Sequence, residues 1–591
     1  MRKIRYAQVG LGGRHEMFRN AVTDGYRRNC EMVALCDINE GRLNLAIGKV
    51  EKSSGVKIPG YAAKDFDKMV KETKPDCVIV TTVDRFHDEY ICRSMELGCD
   101  VITEKPMTTD EKKCQRILDT VQRTGRKVRV TFNYRYSPVR MQVKELLQEG
   151  VIGRILSVEF KWMLDTSHGA DYFRRWHRCK VNSGGLMVHK ASHHFDLVNW
   201  WINSVPTRVG AVGARRFYTS AQANRYGLTR RAERCLECPE TQKCPFFMDL
   251  KRNASLKEIY LDNEQYDGYH RDRCVFSDEI DIEDSMNLSV EYRNGVVMSY
   301  ALNAFSPWEG YHIVFNGTKG RLEHVCRESS YVNGDGTVPG QFLEDNTIIN
   351  VMPHFTSGYF VKPQISAGGH GGGDRVLLDD LFSLAPLPDP LKRCADHRGG
   401  AYAILTGIAA NISMKKKHMV EIDKLVSGLT MPDYPDERNC DLPIRLPEFI
   451  NEYQVSNLVP KHGNIQAAQL PVPGLKFTPM KVSGGGFMSV TSLIKKKDGL
   501  IYFKARHQSA KSGDGTLFFG ADGPSKIWLN GTEVAVLPNL TNPANADRCK
   551  VQVLLKEGVN VLLVALDTNE GKAWGVFTRF SDLDSQDNHL S

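Results

Sequence analysis

The chain has 591 residues, 41% of them apolar and 25% charged, with a formal charge of +8. That length exceeds what one hydrophobic core supports and predicts about three domains. The charge is thinly spread, with no basic run interleaved with aromatics, which argues against nucleic-acid binding, and no window of about 18 apolar residues marks a membrane span.

The first strand is expected over 4–9. No apolar leader pattern precedes it, so a cytoplasmic protein is expected, with most of its fifteen cysteines as free thiols. Gly10-Leu11-Gly12-Gly13-Arg14-His15 follows at once. Gly10 permits the tight turn, and Gly12 and Gly13 let the backbone approach a pyrophosphate. A helix over 14–24, beginning at Arg14, turns its N-terminus to the phosphates. His15 stands where the usual fingerprint has a third glycine. A second apolar run, 31–36, ends in Asp37. A carboxylate there suits both ribose hydroxyls of NAD and repels a 2′-phosphate, so NAD is expected ahead of NADP; a helix N-cap is the alternative.

Helices over 65–72, 86–97 and 110–124 then alternate with strands over 76–81, 100–103 and 127–132. This alternation predicts a parallel α/β sheet of Rossmann type over 1–134. Its carboxyl ends carry Thr82, Glu104-Lys105-Pro106 and Asn133. A lysine beside a proline turn at such an end points into the crevice. There it can polarise a hydroxyl or carbonyl during hydride transfer, with a salt bridge to Glu104 as the alternative.

A long strand over 151–162 opens an α+β open-sheet substrate domain, expected over 135–424. The loop expected over 165–178 brings Tyr172, Trp176 and His177, polar and flat groups of the kind a sugar needs. Gly184-Gly185 then release a helically spaced segment in which His189 and His193, four residues apart, share a face, with Lys190 and His194 beside them. Solvated or core histidines are the alternative. Cys235, Cys238, Cys244 and Cys274 have a spacing that suits a closed structural zinc site, with an iron–sulfur cluster second and free thiols as the alternative. Strands follow over 286–292, 296–301, 311–315 and 320–325. A mobile loop is expected over 355–373, with His370 among glycines near ligand. Asp374 is expected to cap a helix over 375–384, and a helix over 400–414 completes the domain. The segment 425–470 reads as a linker. Seven short strands between 487 and 579 predict an all-β sandwich over 471–591.

Taken in order, Gly10-Leu11-Gly12-Gly13, Cys36-Asp37, the 82–87 segment, Glu104-Lys105-Pro106 and the Gly-Gly…His-x-x-x-His stretch resemble the glucose–fructose oxidoreductase/inositol dehydrogenase (Gfo/Idh/MocA) family over residues 1–425. The resemblance implies a Rossmann domain and a second domain whose open sheet faces the nicotinamide. It implies cofactor contacts from Thr82, His87, Glu104, Lys105 and Asn133, and a homo-oligomer. His193 matches the family's acid/base histidine, whereas His189 stands where the family carries aspartate. The C-terminal sandwich resembles galactose-binding-like jelly rolls. The expected function is NAD(P)-dependent oxidation or reduction at a hydroxyl carbon of a sugar. Lys105, His193 and His189 are the expected catalytic groups, and Tyr172, Trp176, His177, His194 and His370 are expected on the substrate. One alternative is an NAD-retaining glycoside hydrolase or lyase working by transient oxidation and elimination. Another is a non-catalytic carbohydrate sensor. The expected partner is a small carbohydrate, with neither nucleic acid nor membrane.

Overall fold

Apolar runs without alternation build the first sheet. Cys77–Val80 is buried at every position, and Cys30–Asp37 at all but one, as expected for strands covered on both faces. In the computed structural model, which describes residues 2–342, 346–385, 388–436, 447–471, 473–482 and 485–581, these strands flank Ile4–Val9 in parallel. Gly60–Ala62 extends one side, and Asp100–Thr103 and Val128–Val130 the other, with Ala395–Asp396 as an antiparallel edge. The chain thus moves outward in both directions from its first strand, and a crevice opens at the carboxyl ends there.

The covering helices begin and end where sequence chemistry places them. Asn39 accepts from the Arg42 N–H to start Glu40–Ser54, and Asp110 does the same through Lys113 for Glu111–Thr124. The helix expected over 14–24 is regular only for His15–Asn20. Ala21–Gly25 continues in wider, π-type turns.

The second sheet has nine strands, with Ile155–Asp165 near its centre, parallel to Val297–Ser306 and antiparallel to Glu309–Gly317. Val158, Phe160, Trp162 and Leu164 face inward, while Glu159 and Lys161 face out. Each such inward side chain contributes roughly 2 kcal/mol through burial. The inner face receives Ala191–Trp201, and His397–Lys416 packs beside it. The stretch expected as a loop over 165–178 is helical over Thr166–Arg174, because Asp165 accepts from the Ser167 and His168 N–H groups and caps it. Asp374 is not the cap of Gly373–Phe382; Gly372 holds that position, and the Asp374 carboxylate turns elsewhere.

These elements form one unit, Met1–Val351 with Phe360–Leu442; Met352–Tyr359 and Pro443–Ser591 form another. The second is an antiparallel sandwich of a six-stranded and a four-stranded sheet. Ile501, Phe503 and Ala505 alternate with outward Lys504 and Arg506, and they meet Leu517, Phe519 and Val576 of the other sheet in one core. The stretch expected as linker contributes a strand of that sandwich, Glu452–Ser456, which pairs with Leu500–Ser509. The expected strand over 487–493 stops at Ser489, and Thr491–Ile494 is a helical turn. Residues 437–446 of the expected linker and 582–591 of the expected sandwich lie outside the described residues. No described helix is long and apolar enough to cross a membrane.

Candidate active site

The first turn is built for a diphosphate. Gly10 has φ 88°, and a Cβ on it would lie 2.5 Å from the Thr82 nitrogen, so only glycine fits. Asp37, at the tip of its strand, accepts from the Leu11 N–H at 2.5 Å and the Asn39 N–H at 2.7 Å. It therefore shapes the glycine turn. Arg42 lies 3.4 Å from Asp37 and 2.5 Å from Asp267. Arg14 joins Glu104 at 2.7 Å and Asp374 at 3.3 Å. Asn133 donates to Asp374 at 2.6 Å, and its Oδ1 is buried without a partner. The glycine turn, the strand-tip carboxylate and the unpartnered Asn133 oxygen all fit a dinucleotide. His87 does not line this seat. Its ring nitrogens sit 2.8 Å from the Pro106 oxygen and 3.1 Å from the Thr82 oxygen, so it clamps the loops that do.

Lys105 does not bridge to Glu104 through its ammonium. Its Nζ lies 3.1 Å from the His189 carbonyl oxygen and 3.4 Å from His189 Nε2. His189 Nδ1 lies 2.5 Å from Asp84 Oδ2. The carboxylate fixes the tautomer: Nδ1–H donates to Asp84, leaving Nε2 to accept from Lys105. Asp84, His189 and Lys105 form one hydrogen-bonded chain. Burial pushes the Asp84 carboxyl up, against the pull of Lys105. Burial likewise brings the Lys105 ammonium down to about 8, although Asp84 and Glu104 oppose it. Their proton affinities are thus closer together than in water, which favours transfer along the chain.

The two histidines expected on one helical face are separated by a break. Leu186–His189 and Ala191–Trp201 are distinct helices that meet at Lys190, and positive φ at Gly184 and Gly185 sets the entry. His193 stacks on Tyr134 with centroids 4.4 Å apart, and its Nδ1 is buried without a partner. Burial pushes its imidazole well below the usual value, and Lys105, Lys190, His370 and His194 push the same way. It is held neutral, with a free nitrogen. His177 stacks on Trp176 at 3.6 Å, stands 4.2 Å from His189, and also keeps an unpartnered Nδ1.

Lys190 reaches Glu309 and the Tyr134 hydroxyl, each at 3.3 Å. Glu309 also receives His168 at 2.7 Å, and Tyr172 meets His168 at 2.9 Å. His370 stands 5.6 Å from Tyr134 and 3.0 Å from Asp374, which places it beside the crevice. His194 is not a substrate group. Trp162 covers its ring at 3.9 Å, and Tyr300 takes its Nδ1 at 2.6 Å, so it belongs to the packing under the site.

Asp84, Glu309, His168 and Tyr134 are absent from the residues singled out by sequence. Asp84 and Tyr134 had a signal in their place at strand carboxyl ends, and His168 in standing four residues before Tyr172 on one turn of helix; Glu309 had none. Cys235, Cys238, Cys244 and Cys274 do line one cavity of about 30 Å³ with Phe246 and Phe276. Yet among the described residues no three His, Cys, Asp or Glu side chains gather closely enough to hold a metal ion. The zinc site expected there is therefore not shown among the described residues.

Two family models match the chain: an oxidoreductase NAD-binding Rossmann fold over residues 4–132, and the C-terminal alpha/beta domain of the same oxidoreductase family over 144–422. YteT of Bacillus subtilis (strain 168), provisionally named an oxidoreductase, is 36% identical over 427 residues, covering 70% of this chain and 97% of that protein. A glycosyl hydrolase family 109 protein of Akkermansia muciniphila is 29% identical, covering 32% of this chain and 40% of that protein. The inositol 2-dehydrogenase/D-chiro-inositol 3-dehydrogenase of Lactiplantibacillus plantarum is 25% identical, covering 34% of this chain and 52% of that protein. Gly10, Asp37 and Lys105 lie within the Rossmann match and His193 within the C-terminal match, and the chain belongs to the Gfo/Idh/MocA oxidoreductase family.

Proposed function

We propose that this oxidoreductase acts on a hydroxyl carbon of a sugar or sugar derivative, with NAD rather than NADP. The observation that carries the reading is the pairing of a neutral, unpartnered His193 Nδ1 with a Lys105 ammonium in the same crevice. Gly12, Gly13, Arg14, Asp37, Thr82 and Asn133 would hold the dinucleotide, which supplies the hydride acceptor when bound. His193 takes the hydroxyl proton at Nδ1. Lys105 spends two N–H groups on His189 and keeps a third for the substrate oxygen as it becomes a carbonyl. Asp37 and Asp267 both face Arg42, so that cation is already neutralised and offers little to a 2′-phosphate. Tyr172, Trp176, His177 and His370 offer stacking faces and polar edges that support a carbohydrate partner.

One observation favours a second reading, glycoside cleavage through transient oxidation. Elimination needs a base for the carbon-bound proton besides the one that serves the hydroxyl, and the Asp84–His189 pair supplies a separate proton-handling unit. A homo-oligomer formed through the open sheet face is part of the proposal, and light scattering on the purified chain reads it. The described cysteines are all free, which supports a reducing, cytoplasmic setting. The function is tested by mixing the protein and NAD with free sugars, polyols and glycosides, following NADH absorbance and released sugar together. NADH from a free sugar or polyol is expected; sugar release without NADH would favour the second reading.

A further inference from the structure

The segment between Cys244 and Cys274 lies over the nucleotide seat. Its short helices, Ala254–Ile259, Leu261–Asn263 and Glu264–Asp267, meet the glycine turn and the helix Glu40–Ser54. The Tyr260 hydroxyl accepts from the Gly13 N–H at 2.9 Å. Asn39 donates to the Asn263 carbonyl at 2.9 Å, Arg42 reaches Asp267 at 2.5 Å, and Lys49 reaches Glu258 at 2.8 Å. A Cβ at Gly41 would lie 1.9 Å from the Asn263 side chain, so the helix surface is relieved where this strap sits.

The other side of the strap is tied to the substrate domain. Arg234, next to Cys235, pairs with Glu264 at 2.7 Å and Asp272 at 2.8 Å. Arg271 pairs with Asp171 of Thr166–Arg174 at 2.6 Å, and its guanidinium lies 5.9 Å from the Tyr260 ring. The strap is therefore a rigid tie between cofactor turn and substrate helix.

The chemistry of Tyr260 is specific. Gly13 lies at the start of the phosphate-facing helix, where backbone N–H groups point at the diphosphate. A hydroxyl that accepts from that N–H retains its own proton for donation, and a bound dinucleotide would bring a phosphate oxygen to this turn as its acceptor. Resting on the dinucleotide reading above, we propose that Tyr260 is a cofactor-binding residue and that residues 254–268 form a clasp, closed through Asp267–Arg42, which the dinucleotide must displace to leave. Release of reduced cofactor, rather than hydride transfer, then limits turnover.

Stopped-flow displacement of bound NADH by excess NAD, read by NADH fluorescence on the full chain, tests this. The variants are Tyr260→Phe, which keeps the ring packing, and Asp267→Asn, which keeps the shape and loses the charge. Release at least fivefold faster in Tyr260→Phe is expected. Asp267→Asn should move in the same direction. Release in Tyr260→Phe less than fivefold faster than wild type overturns the clasp, as does an equal gain in release and loss in hydride transfer. Absence of NADH binding in all three proteins overturns the dinucleotide reading itself.

Discussion

Replacing Asp84 by asparagine isolates the charge that reaches Lys105 through His189. The amide oxygen of the replacement still accepts from His189 Nδ1, so the ring keeps its tautomer while the negative charge is lost. The two hydrogen bonds measure 2.5 and 3.4 Å. With the width of one imidazole between them, carboxylate and ammonium are no more than about 8 Å apart, worth at least ~2 kcal/mol at an effective dielectric of ~20, or about 1.5 pK units. Lys105 titrates at about 8 because burial outweighs Asp84 and Glu104. In Asp84→Asn it should titrate near about 6.5. The protonated ammonium is the form that donates to the substrate oxygen, so the rate falls as pH rises through this pKa. The alkaline limb of kcat/KM therefore moves to lower pH, and the fold loss in the variant grows from about pH 6.5 to a plateau of roughly thirtyfold above pH 8. NMR titration of ε-13C-lysine protein reads the same shift without substrate, the Lys105 signal being identified by its loss in Lys105→Arg. A Lys105 pKa unchanged or raised in Asp84→Asn would refute the charge-relay argument.

Lys105→Met and His193→Gln should each lower kcat by roughly 10²- to 10⁴-fold while NADH affinity, read by fluorescence titration, stays close to wild type. Glu309→Gln acts on stability. Burial opposes ionisation, but His168 and Lys190 bring the Glu309 carboxyl from 4.5 down to about 2. A lowered folded pKa gives stability that is present above the ordinary carboxylate value and is lost as pH falls toward 2, about 3 kcal/mol at neutral pH. Urea unfolding should show that loss in Glu309→Gln at pH 7, roughly halved at pH 3; a gap that widens on acidification would contradict it. In the sandwich, Phe503 is fully buried, and Phe503→Ala should cost about 3–5 kcal/mol, read as a lower midpoint for the unfolding transition of that unit.

The sequence was most readable where one residue type has one use. Gly10 at positive φ and Asp37 at a strand tip are local demands, and the structure meets both. The Asn530-Gly531 turn was legible, but its second strand, Thr532–Leu537, was not, because its half-buried residues lack a clean two-residue alternation. The helix over Thr166–Arg174 was hidden by a composition of polar and aromatic groups that reads as loop until the Asp165 cap is seen. Hardest to foresee were partners far apart in sequence. His189 and Asp84 are 105 positions apart, and nothing local signals that the carboxylate missing from the family's aspartate position returns from another strand end. Cysteine spacing was legible too, and the four line one cavity, but spacing does not fix the distances between sulfurs that a metal needs.

The central claim is that Lys105 and His193 act on one sugar hydroxyl against a bound nicotinamide. Its most direct measurement is pre-steady-state NADH formation from enzyme-bound NAD on mixing with the substrate found in the sugar and polyol panel, in wild type and in His193→Gln. A rapid phase of NADH in the wild type, slowed at least a hundredfold in His193→Gln, is predicted. An equal rapid phase in both proteins, or sugar release from a glycoside with no net NADH, would contradict it.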